Sequence, residues 1–201
     1  MSSESRSKDS GLSRRHFLTG ATAATAAVGA AAAAIPFVAS FKPSARAQAL
    51  GAPVEVDISS LEPGSLIKVE WRGRAIYILN RSMTMIERLM GADYDLRDPD
   101  SADSEQPEFA LNLYRSLRPE LLVVEGVCTH LGCAPVERFE VAPADLGPDW
   151  TGGFFCPCHG SMFDLSGRVF AGVPAPKNLP VPPYSFVNEN TLLIGAEAGS
   201  A

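Results

Sequence analysis

The stretches CTHLGC at residues 128–133 and CPCHGS at residues 156–161 contain all four cysteines and two of the three histidines of the chain. Each stretch includes a glycine and follows an apolar run, so each is predicted to be a loop at the end of a β-strand. Cysteine sulfur and histidine nitrogen at such short spacings are typical metal ligands. The two stretches therefore predict a metal site built from two loops.

Three kinds of site are compatible with these six donors. A single tetrahedral zinc ion needs only four of them. An iron–sulfur cluster held by all four cysteines would leave both histidines without a role. A mixed cluster with two thiolate and two imidazole ligands uses all six if the remaining cysteines form a disulfide bond. The residues by themselves leave these three alternatives open.

The composition indicates one folded, acidic domain behind an apolar N-terminal segment. The chain has 201 residues, of which 46% are hydrophobic and 20% are charged, and its net charge is −6. About 150 residues follow the apolar segment, which suffices for one domain and excludes a large multidomain enzyme. The acidic balance argues against nucleic acid as a partner. The 17 glycines and 16 prolines predict many turns and short strands rather than a helical bundle.

The N-terminus combines a basic segment with a long apolar one. Within residues 1–16, Arg14 and Arg15 come directly before the apolar residues 17–41, the pattern of a twin-arginine signal for proteins exported in folded form. As a helix, these 25 residues would reach about 38 Å, more than the ~30 Å hydrocarbon core of a bilayer. Basic residues before the span predict a cytoplasmic N-terminus and an acidic domain across the membrane.

The residues after this span predict a tether. Residues 42–52 are rich in alanine, lack an apolar period and contain Pro43 and Gly51, so we expect a flexible hinge before a domain at residues 53–201. The sequence ARA at residues 45–47 has the small-x-small form of a signal-peptidase site, so removal of the anchor is the alternative. The apolar run is longer than an ordinary signal core, which favours a retained anchor.

The periodicity of the domain predicts a mainly β fold with an antiparallel sheet. One short helix is expected at residues 85–90, because Thr84 and Glu87 have capping-box spacing and Gly91 provides a stop. Residues 93–108 contain seven acids and one arginine, which predicts a solvated surface excursion or, as the alternative, a docking site for a basic partner. The predicted strands cover residues 54–58, 66–71, 74–79, 121–125, 153–155, 168–170, 184–187 and 191–194.

The two cysteine–histidine loops resemble those of Rieske 2Fe-2S proteins. With the anchor and tether, the chain is similar to the Rieske iron–sulfur subunit of bacterial cytochrome bc complexes over nearly its whole length. The similarity extends to WRG at residues 71–73, to residues 112–120 and to GVPAP at residues 172–176. It implies a Rieske-type antiparallel β domain, with a cluster-binding part at about residues 121–180, preceded by one transmembrane helix.

The resemblance also implies one 2Fe-2S cluster and assigns its ligands. Cys128 and Cys156 would hold the inner iron, and His130 and His159 the outer, more exposed iron. Neutral imidazole in place of thiolate makes a cluster easier to reduce, which puts Rieske potentials at about −150 to +300 mV and suits a quinol donor.

Further residues around the cluster are implied by the same resemblance. Ser161 corresponds to a serine whose hydroxyl donates to a cluster sulfur and raises the potential. Phe163 departs from the family pattern, because many members have a tyrosine there whose hydroxyl is a second donor. We therefore expect a lower potential than in a tyrosine-bearing relative. The remaining implied residues are the disulfide pair Cys133 and Cys158, the apolar cover Leu131, the loop glycine Gly160, and Pro174 and Pro176 in a rigid flap.

The function implied by the resemblance is electron transfer within a quinol:cytochrome c oxidoreductase of the bacterial inner membrane. His159, together with His130, would contact quinol and accept its proton, in an oxidation coupled to proton translocation. Cytochrome b and a membrane-anchored c-type cytochrome would be partners in a dimeric complex, with the Rieske domain in the periplasm. One alternative is the Rieske relay subunit of an exported molybdenum oxidase such as arsenite oxidase, and another is a structural zinc module.

Overall fold

The computed structural model describes residues 6–44 and 51–196. It divides the chain into two units, residues 1–49 and residues 50–201, which are described separately. The ARA sequence at residues 45–47 and most of the predicted hinge at residues 42–52 lie outside the described residues.

The first unit contains one long helix, Arg6–Ser40 (α1). Within it, Ser13–Ser40 is long and apolar enough to cross a membrane. The hydroxyls of three threonines in this stretch donate to the backbone carbonyl four residues earlier, at 2.8 to 2.9 Å. Such bonds satisfy hydroxyl groups without water, which suits an apolar environment. The helix begins well before residue 17, where the apolar run starts.

The second unit is built from short antiparallel strands. Its described residues form three three-stranded sheets, in the orders β1-β9-β8, β2-β3-β4 and β5-β6-β7. The strands are Val54–Asp57 (β1), Leu66–Trp71 (β2), Arg74–Asn80 (β3), Leu121–Glu125 (β4), Val136–Arg138 (β5), Gly153–Cys156 (β6), Ser161–Phe163 (β7), Tyr184–Asn188 (β8) and Thr191–Ile194 (β9). The prediction of a mainly β, antiparallel domain is therefore confirmed.

The hairpin β2-β3 shows how the sequence selects this architecture. Trp71 pairs with Arg74, which leaves a two-residue turn of Arg72 and Gly73. Both turn residues have positive φ, 54° and 73°, as a type I′ turn requires for the right-handed twist of a hairpin. Strand β3 then pairs with β4, and both strands contribute to the hydrophobic core. The apolar runs of these two strands are thus buried on both faces, with β3 at the centre of its sheet.

Helix Met83–Met90 (α2) begins two residues earlier than predicted. Its N-cap is Ser82, whose hydroxyl accepts from the Met85 N–H at 3.4 Å. Thr84 lies inside the first turn and its hydroxyl contacts that of Ser82 at 2.9 Å, so the predicted capping by Thr84 was wrong. The predicted stop is present, because the Gly91 N–H donates to the Glu87 carbonyl at 3.0 Å.

The acidic segment at residues 93–108 is more than a surface excursion. The Arg97 N–H donates to the Val169 carbonyl, and the Ala171 N–H donates to the Asp95 carbonyl, which places Leu96 opposite Phe170 in an antiparallel bridge. The predicted strand at residues 168–170 therefore forms only isolated bridges, one to this segment and one to β7. Through them the acidic segment lies along the edge of the β5-β6-β7 sheet.

Candidate metal centre

The two cysteine–histidine loops have the same local construction. The first loop connects β4 to β5, and the second connects the end of β6 at Cys156 to the start of β7. In the first, the Gly132 N–H donates to the Cys128 carbonyl; in the second, the Gly160 N–H donates to the Cys156 carbonyl, both at 2.9 Å. These glycines have φ of 84° and 77°, a conformation that side chains disfavour. Both loops therefore turn tightly just after their first cysteine.

The four predicted ligands lie within these loops and differ in burial. Cys128 and Cys156 are free thiols and almost completely buried, at 2% and 1% exposure. His130 is half-buried and His159 is exposed. Their rings meet edge to face, with centroids 4.8 Å apart. Two sulfur donors thus lie inside the protein, and two imidazoles lie together at its surface.

A disulfide bond joins the two loops. Cys133 and Cys158 are bonded to each other, with their Cα atoms 6.6 Å apart. The Cys156 sulfur lies within 4.8 Å of both disulfide sulfurs. This group of three sulfurs is not a ligand set, because two of them are already bonded to each other. The disulfide also excludes the alternative in which all four cysteines hold a cluster.

The two cysteine thiols lie in a site that disfavours bare negative charge. Burial raises the pKa of the Cys128 thiol, and the neighbouring Cys156 acts in the same direction. The Ser161 hydroxyl and the His130 peptide N–H oppose this effect and lower the pKa of Cys128. A metal would offset the cost of two buried thiolates. The chemistry of this donor set therefore fits a bound metal group.

A proline-containing segment, residues 172–176 (the flap), lies against both loops. The Ala175 N–H donates to the Ser161 hydroxyl oxygen at 3.1 Å. One residue beyond the flap, the Lys177 carbonyl accepts from the Thr129 hydroxyl at 2.6 Å. Pro174 and Pro176 are exposed, as is Leu131 in the first loop, at 71%, whereas Phe163 is completely buried.

The sequence reasoning missed the residues that hold the flap. Thr129 lies in the first loop between Cys128 and His130, and this position of its hydroxyl could have suggested a structural role. Arg97, whose guanidinium donates to the Val173 carbonyl at 2.9 Å, was the single base among seven acids. Asn178 is buried and bonds Val169, Asp98 and Ser101, and no local pattern identified it.

Family models match two parts of the chain. The family descriptions "Ubiquitinol-cytochrome C reductase Fe-S subunit TAT signal" and "Rieske 2Fe-2S domain" match residues 4–44 and 89–183. The ubiquinol-cytochrome c reductase iron-sulfur subunit of Allochromatium vinosum is 54% identical over 188 residues, which are 94% of this chain and 91% of the relative. The chain belongs to the family of ubiquinol-cytochrome c reductase iron-sulfur subunits.

Other relatives are consistent with this membership. The subunit of the same name from Bradyrhizobium diazoefficiens is 46% identical over 183 residues, 90% of this chain and 94% of the relative. The mitochondrial cytochrome b-c1 complex subunit Rieske of Solanum tuberosum is 47% identical over 162 residues, 80% of this chain and 53% of that protein. The match to the Rieske 2Fe-2S domain makes a 2Fe-2S cluster the cofactor. It decides against zinc, which two thiols and two imidazoles could also hold.

Proposed function

We propose that this chain is the electron-transfer subunit of a quinol:cytochrome c oxidoreductase. In this proposal it takes one electron and one proton from quinol and passes the electron to a membrane-anchored c-type cytochrome. The observation that carries the proposal is the burial of the free thiols Cys128 and Cys156 in two loops whose histidines, His130 and His159, contact each other nearer the surface. Membership of the family supports cytochrome b as a partner, and in this proposal the complex also contains a c-type cytochrome and is dimeric.

The ligands of the 2Fe-2S cluster would be these four residues. Cys128 and Cys156 would hold one iron behind the protein surface, and the two histidines would hold the other iron beside solvent. When bound, the cluster supplies a one-electron acceptor whose potential lies in the range of quinol donors. The disulfide between Cys133 and Cys158 keeps the two ligand loops together, and the flap covers them from one side.

The histidines would accept the quinol proton and later release it. A histidine that binds a metal through one ring nitrogen keeps the other available for a hydrogen bond or a proton. His159 is exposed and His130 is half-buried, so His159 is better placed to meet a quinol hydroxyl. Its free ring nitrogen would accept the quinol proton and later release it to solvent, which is the chain's part in proton translocation. The exposed Leu131 would contribute an apolar contact beside the quinol.

The N-terminal segment would fix the location of the subunit. We propose that residues 1–16 stay in the cytoplasm, that residues 17–41 cross the inner membrane, and that residues 42–52 act as a hinge. The domain at residues 53–201, with its cluster-binding part at about residues 121–180, would then lie in the periplasm. The apolar character of Ser13–Ser40 and the match to an export-signal family support this topology. A periplasmic location is also compatible with the disulfide bond.

Low-temperature EPR of dithionite-reduced membranes tests the proposal. We expect a rhombic signal with the low average g of mixed histidine and cysteine ligation, and a change of its shape when a quinol-site inhibitor is added. His159→Gln should abolish the signal. The matched control is His16→Gln, which changes the third histidine of the chain and should leave the signal unchanged once expression is equalised.

Each rival function has its own outcome in this experiment. A normal signal that does not respond to the inhibitor would favour the relay subunit of an exported molybdenum oxidase, although the relatives do not favour that function. Absence of the signal from iron-replete protein would favour a zinc site instead. A signal that survives His159→Gln would show that the ligand assignment is wrong.

A further inference from the structure

Tyr77 of strand β3 lies beneath the first cysteine–histidine loop. Its side chain is buried, and its ring packs directly against Gly126, two residues before Cys128. A Cβ atom at position 126 would overlap the Tyr77 ring, so only glycine lets the chain pass there. The Gly126 N–H also donates to the Ala75 carbonyl at 2.7 Å. The ring therefore fixes where the chain enters the loop.

The hydroxyl of the same side chain reaches the other end of the loop. Tyr77 Oη donates to the carbonyl of Pro135 at 2.9 Å, and Pro135 is buried two residues after Cys133. Burial raises the pKa of the Tyr77 hydroxyl, so this group remains protonated and able to donate across the physiological range. A residue 58 positions away in sequence thus holds the point where the chain leaves the loop.

The two ends of the loop are connected to the predicted ligands. The Cys128 N–H donates to the Cys133 carbonyl at 2.8 Å. The position of the backbone at the exit of the loop therefore also determines the position of the Cys128 backbone. Beyond the exit, Glu137 forms an ion pair with Lys68 at 2.8 Å. The Lys68 ammonium lies over the Tyr77 ring, 5.1 Å from its centroid. Movement of the Tyr77 side chain would therefore reach the entry, the exit and the backbone of Cys128.

We propose that Tyr77 is a positioning residue for the first cluster-binding loop: its ring sets the entry at Gly126 and its hydroxyl sets the exit at Pro135. The inference rests on the proposed assignment of Cys128 and His130 as cluster ligands. Two separated contacts from one rigid side chain hold the loop more firmly than either contact alone, because the ring cannot turn without breaking one of them. Such support keeps ligands in a fixed geometry.

The variant Tyr77→Phe isolates the hydroxyl, because the ring and its packing on Gly126 remain. It leaves the buried Pro135 carbonyl without its donor, so the loop should open more often. We expect hydrogen exchange of the Cys128 N–H to become about five- to tenfold faster, which corresponds to roughly 1 to 1.4 kcal/mol for one buried hydrogen bond. Mass spectrometry of peptides covering residues 126–136 measures this exchange in the full, cluster-loaded chain.

Redox titration followed by EPR gives a second readout on the same variant. Hydrogen bonds to cluster sulfurs stabilise the more negative, reduced form and raise the potential of a Rieske centre. A looser loop weakens these hydrogen bonds, so we expect Tyr77→Phe to lower the midpoint potential and broaden the EPR lines.

The matched control is Tyr184→Phe in strand β8. Tyr184 is equally buried, and its hydroxyl also bonds a backbone group, accepting from the Leu117 N–H at 2.9 Å. This bond lies outside the ligand loops, so the control removes one partly buried hydrogen bond without touching them. It should leave the midpoint potential and the exchange at Cys128 unchanged.

The outcomes separate this inference from the proposed function. If Tyr77→Phe matches the wild type in both readouts, or if both variants change them equally, Tyr77 has no positioning role. Absence of a Rieske-type EPR signal in the wild type would instead refute the ligand assignment. Faster exchange and a lower midpoint in Tyr77→Phe alone would establish the role.

Discussion

Replacing Asp164 by asparagine should destabilise the cluster-binding part strongly, because this carboxylate is completely buried and paired. It follows strand β7 directly and has no solvent exposure. One oxygen accepts from the Ser166 and Arg168 N–H groups, both at 2.8 Å. The other accepts from Arg168 Nε at 2.7 Å and from the Tyr94 hydroxyl at 3.2 Å. Asparagine could keep the first two bonds but would present an NH₂ group to the Arg168 donor.

The charge around Asp164 increases the expected loss. Arg81 and Arg115 are both buried and bond the carbonyls of the turn that follows Asp164. Burial lowers the pKa of each guanidinium to about 10, and the Asp164 carboxylate opposes this effect. Removing one partner of a buried ion pair costs about 3 to 5 kcal/mol. For a domain of about 150 residues this corresponds to a fall of roughly 6 to 20 °C in apparent Tm.

Circular dichroism during heating measures this difference on cluster-loaded protein under identical conditions. The matched control is Asp145→Asn, which breaks an equally well-formed pair with Arg138, at 2.7 and 2.8 Å. That pair lies at the surface, where a salt bridge contributes about 0 to 1 kcal/mol. If Asp164→Asn costs less than about 1 kcal/mol, or no more than the control, the reasoning about buried charge is refuted.

Three further predictions concern the site itself. Phe163→Tyr should raise the midpoint potential in an EPR redox titration, because it adds a hydroxyl donor beside the cluster; an unchanged or lower value would remove this explanation. Ser161→Ala should lower the same midpoint, and it also leaves the Ala175 N–H without its acceptor; a normal midpoint would show that the hydroxyl does not tune the cluster. Replacing Cys133 and Cys158 together by serine should accelerate loss of iron on heating, since closing a loop of this length is worth about 3 to 4 kcal/mol; iron retention equal to the wild type would contradict this.

Of the nine strands in the described residues, the sequence predicted seven and missed β5 and β7. Strand β3 and strand β4 have continuous apolar runs, and both were expected. Strand β5, with the residues Val136, Glu137 and Arg138, is mostly exposed and has no apolar alternation. Its position at the edge of a sheet follows from pairing with β6, which no local pattern reveals. Edge strands of this kind are recognised only from their partners.

In the site, too, features set by neighbouring residues could be predicted, whereas features set by contacts distant in sequence could not. The two cysteine–histidine loops could be predicted because short spacings of cysteine, histidine and glycine are typical of metal sites, whereas the pairing of Cys133 with Cys158 was implied only by the family resemblance. The burial of Arg81 and Arg115 could not be predicted, because charged residues are ordinarily expected at the surface. The N-cap of α2 was misplaced because Ser82 and Thr84 are both suitable caps two residues apart.

The bonds around the two loops imply that they respond as one unit. The disulfide joins them directly. Thr129 in the first loop bonds the Lys177 carbonyl just beyond the flap, and Ser161 in the second stretch bonds the Ala175 N–H of the flap. A displacement of the flap must therefore stretch a bond to each loop, and a displacement of one loop must be transmitted to the other through the disulfide. The rings of His130 in the first loop and His159 in the second contact each other. Their relative position is thus determined jointly by both loops, so a change that loosens either loop should disturb both histidines rather than one.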